Sequence, residues 1–165
     1  MQLREGSFHG ARPACPKDTG RMLHRHGCYP RYAGCEGGER LRIQRYRCPA
    51  CGGTFGVLPK DRLPYIALTT GKLQADFDAR SSGTDPPPGS EKERGCLGRA
   101  FKRFACRVAV LCALLGQMIE PIKPRVCECW RALRHLDNLE GILLLLFTKF
   151  NTSLLADYRC LRMEL

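Results

Sequence analysis

The residues best suited to chemistry lie in Arg45-Tyr46-Arg47-Cys48-Pro49-Ala50-Cys51-Gly52-Gly53-Thr54-Phe55. Two thiols in a C-x-x-C spacing, followed by glycines, fit a metal knuckle. One turn directs both thiolates at a single ion, backbone N–H groups face the sulfurs, and glycine accepts the backbone angles that the turn uses. The same spacing also serves redox dithiols. Metal is the preferred reading in a chain with 11 cysteines among 165 residues, an odd number that cannot all pair internally. No apolar stretch follows a basic start near Met1, so the expected setting is a reducing cytoplasm, where clustered cysteines mean metal more often than disulfides.

Zinc takes four ligands. Cys15-Pro16-Lys17-Asp18 repeats the knuckle spacing, with Asp18 where a second cysteine would stand. Cys15 is therefore the expected third ligand. The fourth position stays open between the Asp18 carboxylate, a neutral imidazole of His24 or His26, and the Cys28 thiol. One structural Zn2+ is expected, on Cys15, Cys48, Cys51 and either Asp18 or His24. Cys35 lies in a glycine-rich turn and is expected to be idle. Cys96, Cys106, Cys112 and Cys160 stand singly on helical patterns and read as small buried hydrophobes. Cys127 and Cys129 are two apart, on different sides of a helix, and so cannot grip one ion.

The elements that must position these groups separate by composition. Residues 41–47 and 54–58 read as two strands of a hairpin with the Cys48 knuckle at its tip. The polar stretch that ends in Asp85-Pro86-Pro87-Pro88-Gly89 reads as a linker, because consecutive prolines interrupt helices and paired strands. Ser90 and Glu93 fit a capping box. Beyond them Leu97, Phe101, Phe104, Val108, Leu111 and Leu115 recur at steps of three and four and form one apolar face. Pro121 and Pro124 end this helix. Val126, Trp130 and Leu133 mark a second, and Asn138 caps a third that carries Leu139, Ile142, Leu143, Leu146 and Phe150. The expected fold is a small α+β protein: an N-terminal zinc β-ribbon at 1–66, a linker at 67–89, and a bundle of about three helices at 90–165.

The formal charge is +11, and through Ile66 the chain has 12 Lys/Arg against 5 Asp/Glu. Arg25, Arg31, Arg40, Arg42, Arg45 and Arg47 crowd the hairpin, interleaved with Tyr29, Tyr32 and Tyr46. Arginine pairs bidentately with phosphate or guanine, and aromatics pack on sugars and bases, so this band is the candidate nucleic-acid surface. Arg131 and Arg134, one turn apart on the second helix, could face DNA in a helix-turn-helix. Trp130 and Leu133 on the same helix favour plain packing or a protein partner.

Three stretches carry a family resemblance: His26-Gly27-Cys28-Tyr29-Pro30-Arg31-Tyr32, Arg42-Ile43-Gln44-Arg45-Tyr46-Arg47-Cys48-Pro49-Ala50-Cys51-Gly52, and Thr54-Phe55-Gly56-Val57-Leu58-Pro59. Together with Leu63-Pro64-Tyr65 they resemble the zinc β-ribbon of transposase-related proteins of bacterial mobile elements. The family's usual form resembles C-P-x-C-G, then H-G-x-Y-x-R, then R-Y-x-C-x-x-C-G-x-T-F and a V-L-P tail. The likeness covers about residues 14–66, and Asp18 is the departure from it. It implies zinc and DNA binding in a transposition setting, without supplying a catalytic activity.

Several classes are set aside. No apolar run reaches the ~18 residues of a membrane span. A two-metal strand-cleaving site needs separated carboxylates on a larger α/β domain, and the remaining acidic residues are Asp76, Asp78 and Asp85 in an expected loop and scattered helical ones. The expectation is a cytoplasmic, non-catalytic protein that binds zinc and DNA, with an accessory or regulatory role and with DNA, a transposase or another protein as partner. The alternative is a protein-interaction module with zinc as a staple. A redox sensor using Cys48 and Cys51 is a third reading.

Overall fold

A computed structural model describes residues 2–4, 12–15, 17–63, 66–150 and 152–156. Among the described residues, eight short strands precede four helices: β1 (Gln2–Arg4), β2 (Ala14–Cys15), β3 (Asp18–Met22), β4 (His24–Tyr32), β5 (Arg40–Arg47), β6 (Thr54–Leu58), β7 (Arg62–Leu63), β8 (Ile66–Thr69), α1 (Thr70–Ser82), α2 (Glu91–Leu115), α3 (Val126–Leu136) and α4 (Leu139–Phe150). The largest sheet runs β1-β6-β5-β4, and β2-β3 and β7-β8 form two-stranded sheets. The chain is thus a small α+β protein. None of its described helices is long and apolar enough to cross a membrane.

The expected hairpin is present as β5 and β6, with Tyr46 opposite Phe55 and Arg47 opposite Thr54. β4 adds on the other side of β5, and its register shifts between Arg25 and Cys28. A shift of this kind is a bulge, which re-aims the side chains on either side of it. One core cluster of these strands is Cys15, Leu23, Tyr46, Cys48 and Phe55, with Val57 and Phe147 packed against it, and Ile43 and Leu58 are buried as well.

The helical half departs from expectation in one respect. The stretch read as a linker contains α1, and Asp76 and Asp78 lie on this helix, not in a loop. The Thr69 side chain caps its start by accepting from Lys72 N, and Gly83 closes it in the left-handed conformation with an N–H to Ala79 O. Leu73 and Phe77, four apart, are fully buried. Phe77 sits edge-on to Phe101 at 5.2 Å and to Trp130 at 5.0 Å, and 5.3 Å from Phe104. Asp76, only 1% exposed, is tolerated because Arg80 donates to both its oxygens at 2.7 and 3.2 Å. The polar composition of α1 hides a helix that needs only two large apolar residues to dock. Between α1 and α2 the chain without regular structure is confined to residues 83–90, around the three prolines.

The expected helices at 90–165 all form. Ser90 accepts from Glu93 N at 3.2 Å, and Asn138 Oδ1 accepts from Gly141 N at 3.0 Å. Leu97, Phe104, Val108, Leu111 and Leu115 are buried with Trp130, Leu133, Ile142 and Leu146, and Leu63 and Leu68 join the same core. Arg131 and Arg134 turn towards α1. Arg131 donates to Ser81 O at 2.6 Å, and Arg134 shares the Asp78 carboxylate with the Trp130 indole N–H. The arginines considered for DNA readout are thus engaged in holding α1 on α3.

These contacts predict the response to truncation of Phe77. Phe77→Ala should lower the unfolding free energy by about 3–5 kcal/mol in a urea titration, the cost of emptying a core aromatic site. A substitution in a linker would change it little.

Candidate metal centre

The knuckle follows from local hydrogen bonding. Cys48 N donates to Gly53 O at 2.9 Å and Gly52 N to Cys48 O at 3.0 Å, which folds residues 48–53 into a tight turn. Gly52 occupies φ +66° within it, a conformation that costs other L-residues about 1–2 kcal/mol. The turn aims Cys51 N at Cys48 Sγ (3.5 Å) and Gly53 N at Cys51 Sγ (3.4 Å).

Cys15 arrives from a different part of the chain. It ends β2, and its backbone pairs with that of Asp18 across the turn to β3. The sulfurs of Cys15, Cys48 and Cys51 all lie within 4.8 Å of one another, with Cys15 to Cys51 at 3.8 Å. That separation is nearly twice an S–S bond, so no disulfide joins the two. It matches the ~3.8 Å between two sulfurs held tetrahedrally at ~2.3 Å from one zinc ion. Cys15 and Cys48 are fully buried and Cys51 is exposed, so the cluster opens to solvent on one side. The Cys51 N–H holds the Cys48 thiol below its ordinary pKa, with the Ala50 N–H acting in the same sense against the upward push of burial. Three thiols at this distance cannot all ionise cheaply without a cation between them, and they can hold a metal ion.

The structure places the other candidate ligands differently. His24 and His26 are exposed on β4, and neither belongs to the group of converging sulfurs. Cys28 is engaged elsewhere: its sulfur accepts from Arg42 Nε at 2.7 Å. The backbone of Asp18 stands opposite Cys15, and its side chain lies outside the described residues.

The basic band divides. β5 pairs regularly with β6, so alternation sends Arg40 and Arg42 to one face and Arg45 and Arg47 to the other. Arg40 lies over the Tyr32 ring at 5.2 Å on the first face, and Arg45 lies 6.0 Å from the Tyr29 ring on the second. Arg25 and Arg47 are exposed. Arg31 reaches across to the next sheet and donates to Leu63 O at 2.7 Å and Ile66 O at 2.9 Å. Its guanidinium ties the two sheets together.

Two cysteine expectations need correction. Cys106 is exposed on α2, not buried. Cys35 is not idle, because it donates to Ala67 O at 3.1 Å and packs against the helical core beside Cys96. Its glycine-rich surroundings in sequence hid that long-range contact. Cys112 is buried as expected and Cys96 only half-buried, Cys129 is buried too, and Cys160 lies outside the described residues.

Comparison of the chain with protein-family models, curated proteins and solved structures finds no match.

The turn geometry makes Gly52 a test of the centre that touches no sulfur. Gly52→Ala leaves open space around the new methyl group but strains the backbone, so it should destabilise the protein by about 1–2 kcal/mol. A thermal melt beside wild type reads this directly.

Proposed function

We propose that the chain is a non-catalytic protein built on a structural zinc ribbon, and that the basic strands of this ribbon bind DNA. The observation that carries the reading is the convergence of Cys15, Cys48 and Cys51 from two turns remote in sequence, at a spacing suited to one zinc ion. Asp18 is the preferred fourth ligand, because its backbone pairs with Cys15 at the position where a knuckle would place its second ligand. His24 is the competitor. The ion would hold the ends of the two turns and stabilise a sheet that has little apolar core of its own.

DNA binding is supported by the concentration of positive charge in the strand region and by the exposed Arg40, Arg42 and Tyr32, which share one face of β4 and β5. Arg42 gives one N–H to Cys28 Sγ and Arg40 lies over Tyr32, and the remaining N–H groups of both exposed guanidiniums can meet phosphates while the tyrosine packs on sugar or base. The resemblance to transposase zinc ribbons makes an accessory or regulatory role in a mobile element, in the cytoplasm, the natural setting. A protein-interaction module is the second reading. It is favoured by Val110 and Met118, which are 48% and 36% exposed towards the end of α2 and the turn after it.

Elemental analysis should find one zinc per chain in wild type and none in Cys48→Ser. A lower zinc content in Asp18→Ala than in His24→Ala would name the fourth ligand, and protein purified without stoichiometric zinc would refute the metal reading. For DNA, affinity for a random duplex should fall steeply with salt. The double variant R40A/R42A should reduce the slope of log affinity against log salt by about 2, roughly one per lost phosphate contact. If neither this variant nor R45A/R47A changes the slope, the protein-interaction reading takes its place.

A further inference from the structure

Away from the sulfur cluster, a cavity of about 440 Å³ lies between the loop joining β4 to β5, strand β8 and helix α2. Its walls contain two thiols, Cys35 from the loop and Cys96 from the helix, and two guanidiniums, Arg99 and Arg103, one turn apart on α2. Glu36 is its one carboxylate among the described lining residues and is hydrogen-bonded to Ser90 at the start of α2. The rim is therefore net positive.

The two thiols line the same cavity and interact with each other, and they stand in unlike environments. Arg99 donates to Cys96 Sγ at 3.1 Å, so a cationic donor lies against that sulfur. Cys35 instead donates its own proton to Ala67 O at 3.1 Å. Burial, followed by the Cys96 thiol, pushes the Cys35 thiol up to about 12, so it keeps its proton. One thiol is thus arranged to attack and its neighbour to resolve, and the cavity beside them can admit a small molecule.

We propose that this cavity is a thiol–disulfide exchange site for a small disulfide bearing carboxylates, with Cys96 as the attacking thiol, Cys35 as the resolving thiol and Arg103 as the carboxylate anchor. Cys96 Sγ, as thiolate, attacks one sulfur of the bound disulfide. The S–S bond breaks, a mixed disulfide forms on Cys96, and one thiolate leaves and is protonated from water. Cys35 then attacks Cys96 Sγ as its proton passes, through water, to the second small thiolate, which leaves as a thiol. The two protein thiols are oxidised by two electrons, and the small disulfide is reduced to two thiols. The product is a Cys35–Cys96 disulfide that ties the β4–β5 loop to α2. This site is independent of the zinc reading and uses none of its ligands.

The test treats the reduced full-length protein with oxidised glutathione or with the uncharged disulfide of mercaptoethanol, and follows each cysteine by peptide mass mapping. Wild type should acquire a Cys35–Cys96 linkage. Cys35→Ser should stop at a glutathione adduct on Cys96, and Cys96→Ser should leave Cys35 reduced. Arg103→Ala, an exposed position, should slow the reaction with oxidised glutathione about tenfold, the lower end of electrostatic steering, and leave the uncharged reagent unaffected. Reaction confined to other cysteines such as Cys51 or Cys106 would overturn the exchange site. Equal loss of rate with both reagents, or no loss with either, would overturn the carboxylate anchor and with it the proposed substrate class.

Discussion

The convergence of three sulfurs is also the convergence of the strands. In the cluster around the sulfurs, Cys15 and Cys48 are themselves candidate ligands, leaving Leu23, Tyr46 and Phe55 as its other buried residues, while Ile43 and Leu58 are buried elsewhere in the sheet. Backbone pairing sets the β5–β6 and β2–β3 registers, and the small cluster around the sulfurs is where these two pairs of strands meet. The turn at 48–53 and the β2–β3 turn are thus positioned by the same contacts that would bind an ion. Site and scaffold are one structure in this half of the chain.

The helical half is held differently. Its core is an ordinary aliphatic and aromatic one, centred on Phe77, Phe104 and Trp130. The polar residues close to it are matched within the molecule: Asp76 with Arg80, and Asp78 with the Trp130 indole and Arg134. The two halves meet through Arg31 on the carbonyls of Leu63 and Ile66, Arg62 on Ala33 O, and Phe147 against the sulfur-side core. Hydrogen bonds from a charged donor to backbone carbonyls are among the stronger polar contacts, and here they fix the β4–β5 hairpin against β7 and β8.

This use of charge changes the meaning of the basic composition. Arg31, Arg131 and Arg134 are engaged in joining elements. Strand alternation divides the rest, so Arg40 and Arg42 cannot meet the same surface as Arg45 and Arg47. Arg40, Arg42 and Tyr32 are exposed on one face, whereas Arg45 is half-buried over the Tyr29 ring on the other. A net charge of +11 therefore overstates the charge that any one partner can meet.

Local patterns were enough to determine the knuckle at Cys48 and Cys51, the β5–β6 hairpin, the Ser90 and Asn138 caps and the apolar faces of three helices. Each depends on residues a few positions apart, whose spacing and backbone preferences act within one turn or strand. Bringing Cys15 to the knuckle, and leaving Cys28 and His24 outside it, required the fold of β2 to β6, because register and bulges decide which side chains meet. Helix α1 was hidden for a related reason: its polar sequence becomes a helix through the burial of Leu73 and Phe77 against partners supplied by α2 and α3. The approach of Cys35 to Cys96 across one cavity is likewise tertiary, since an isolated cysteine in a glycine-rich turn carries no local signal of the helix that packs beside it.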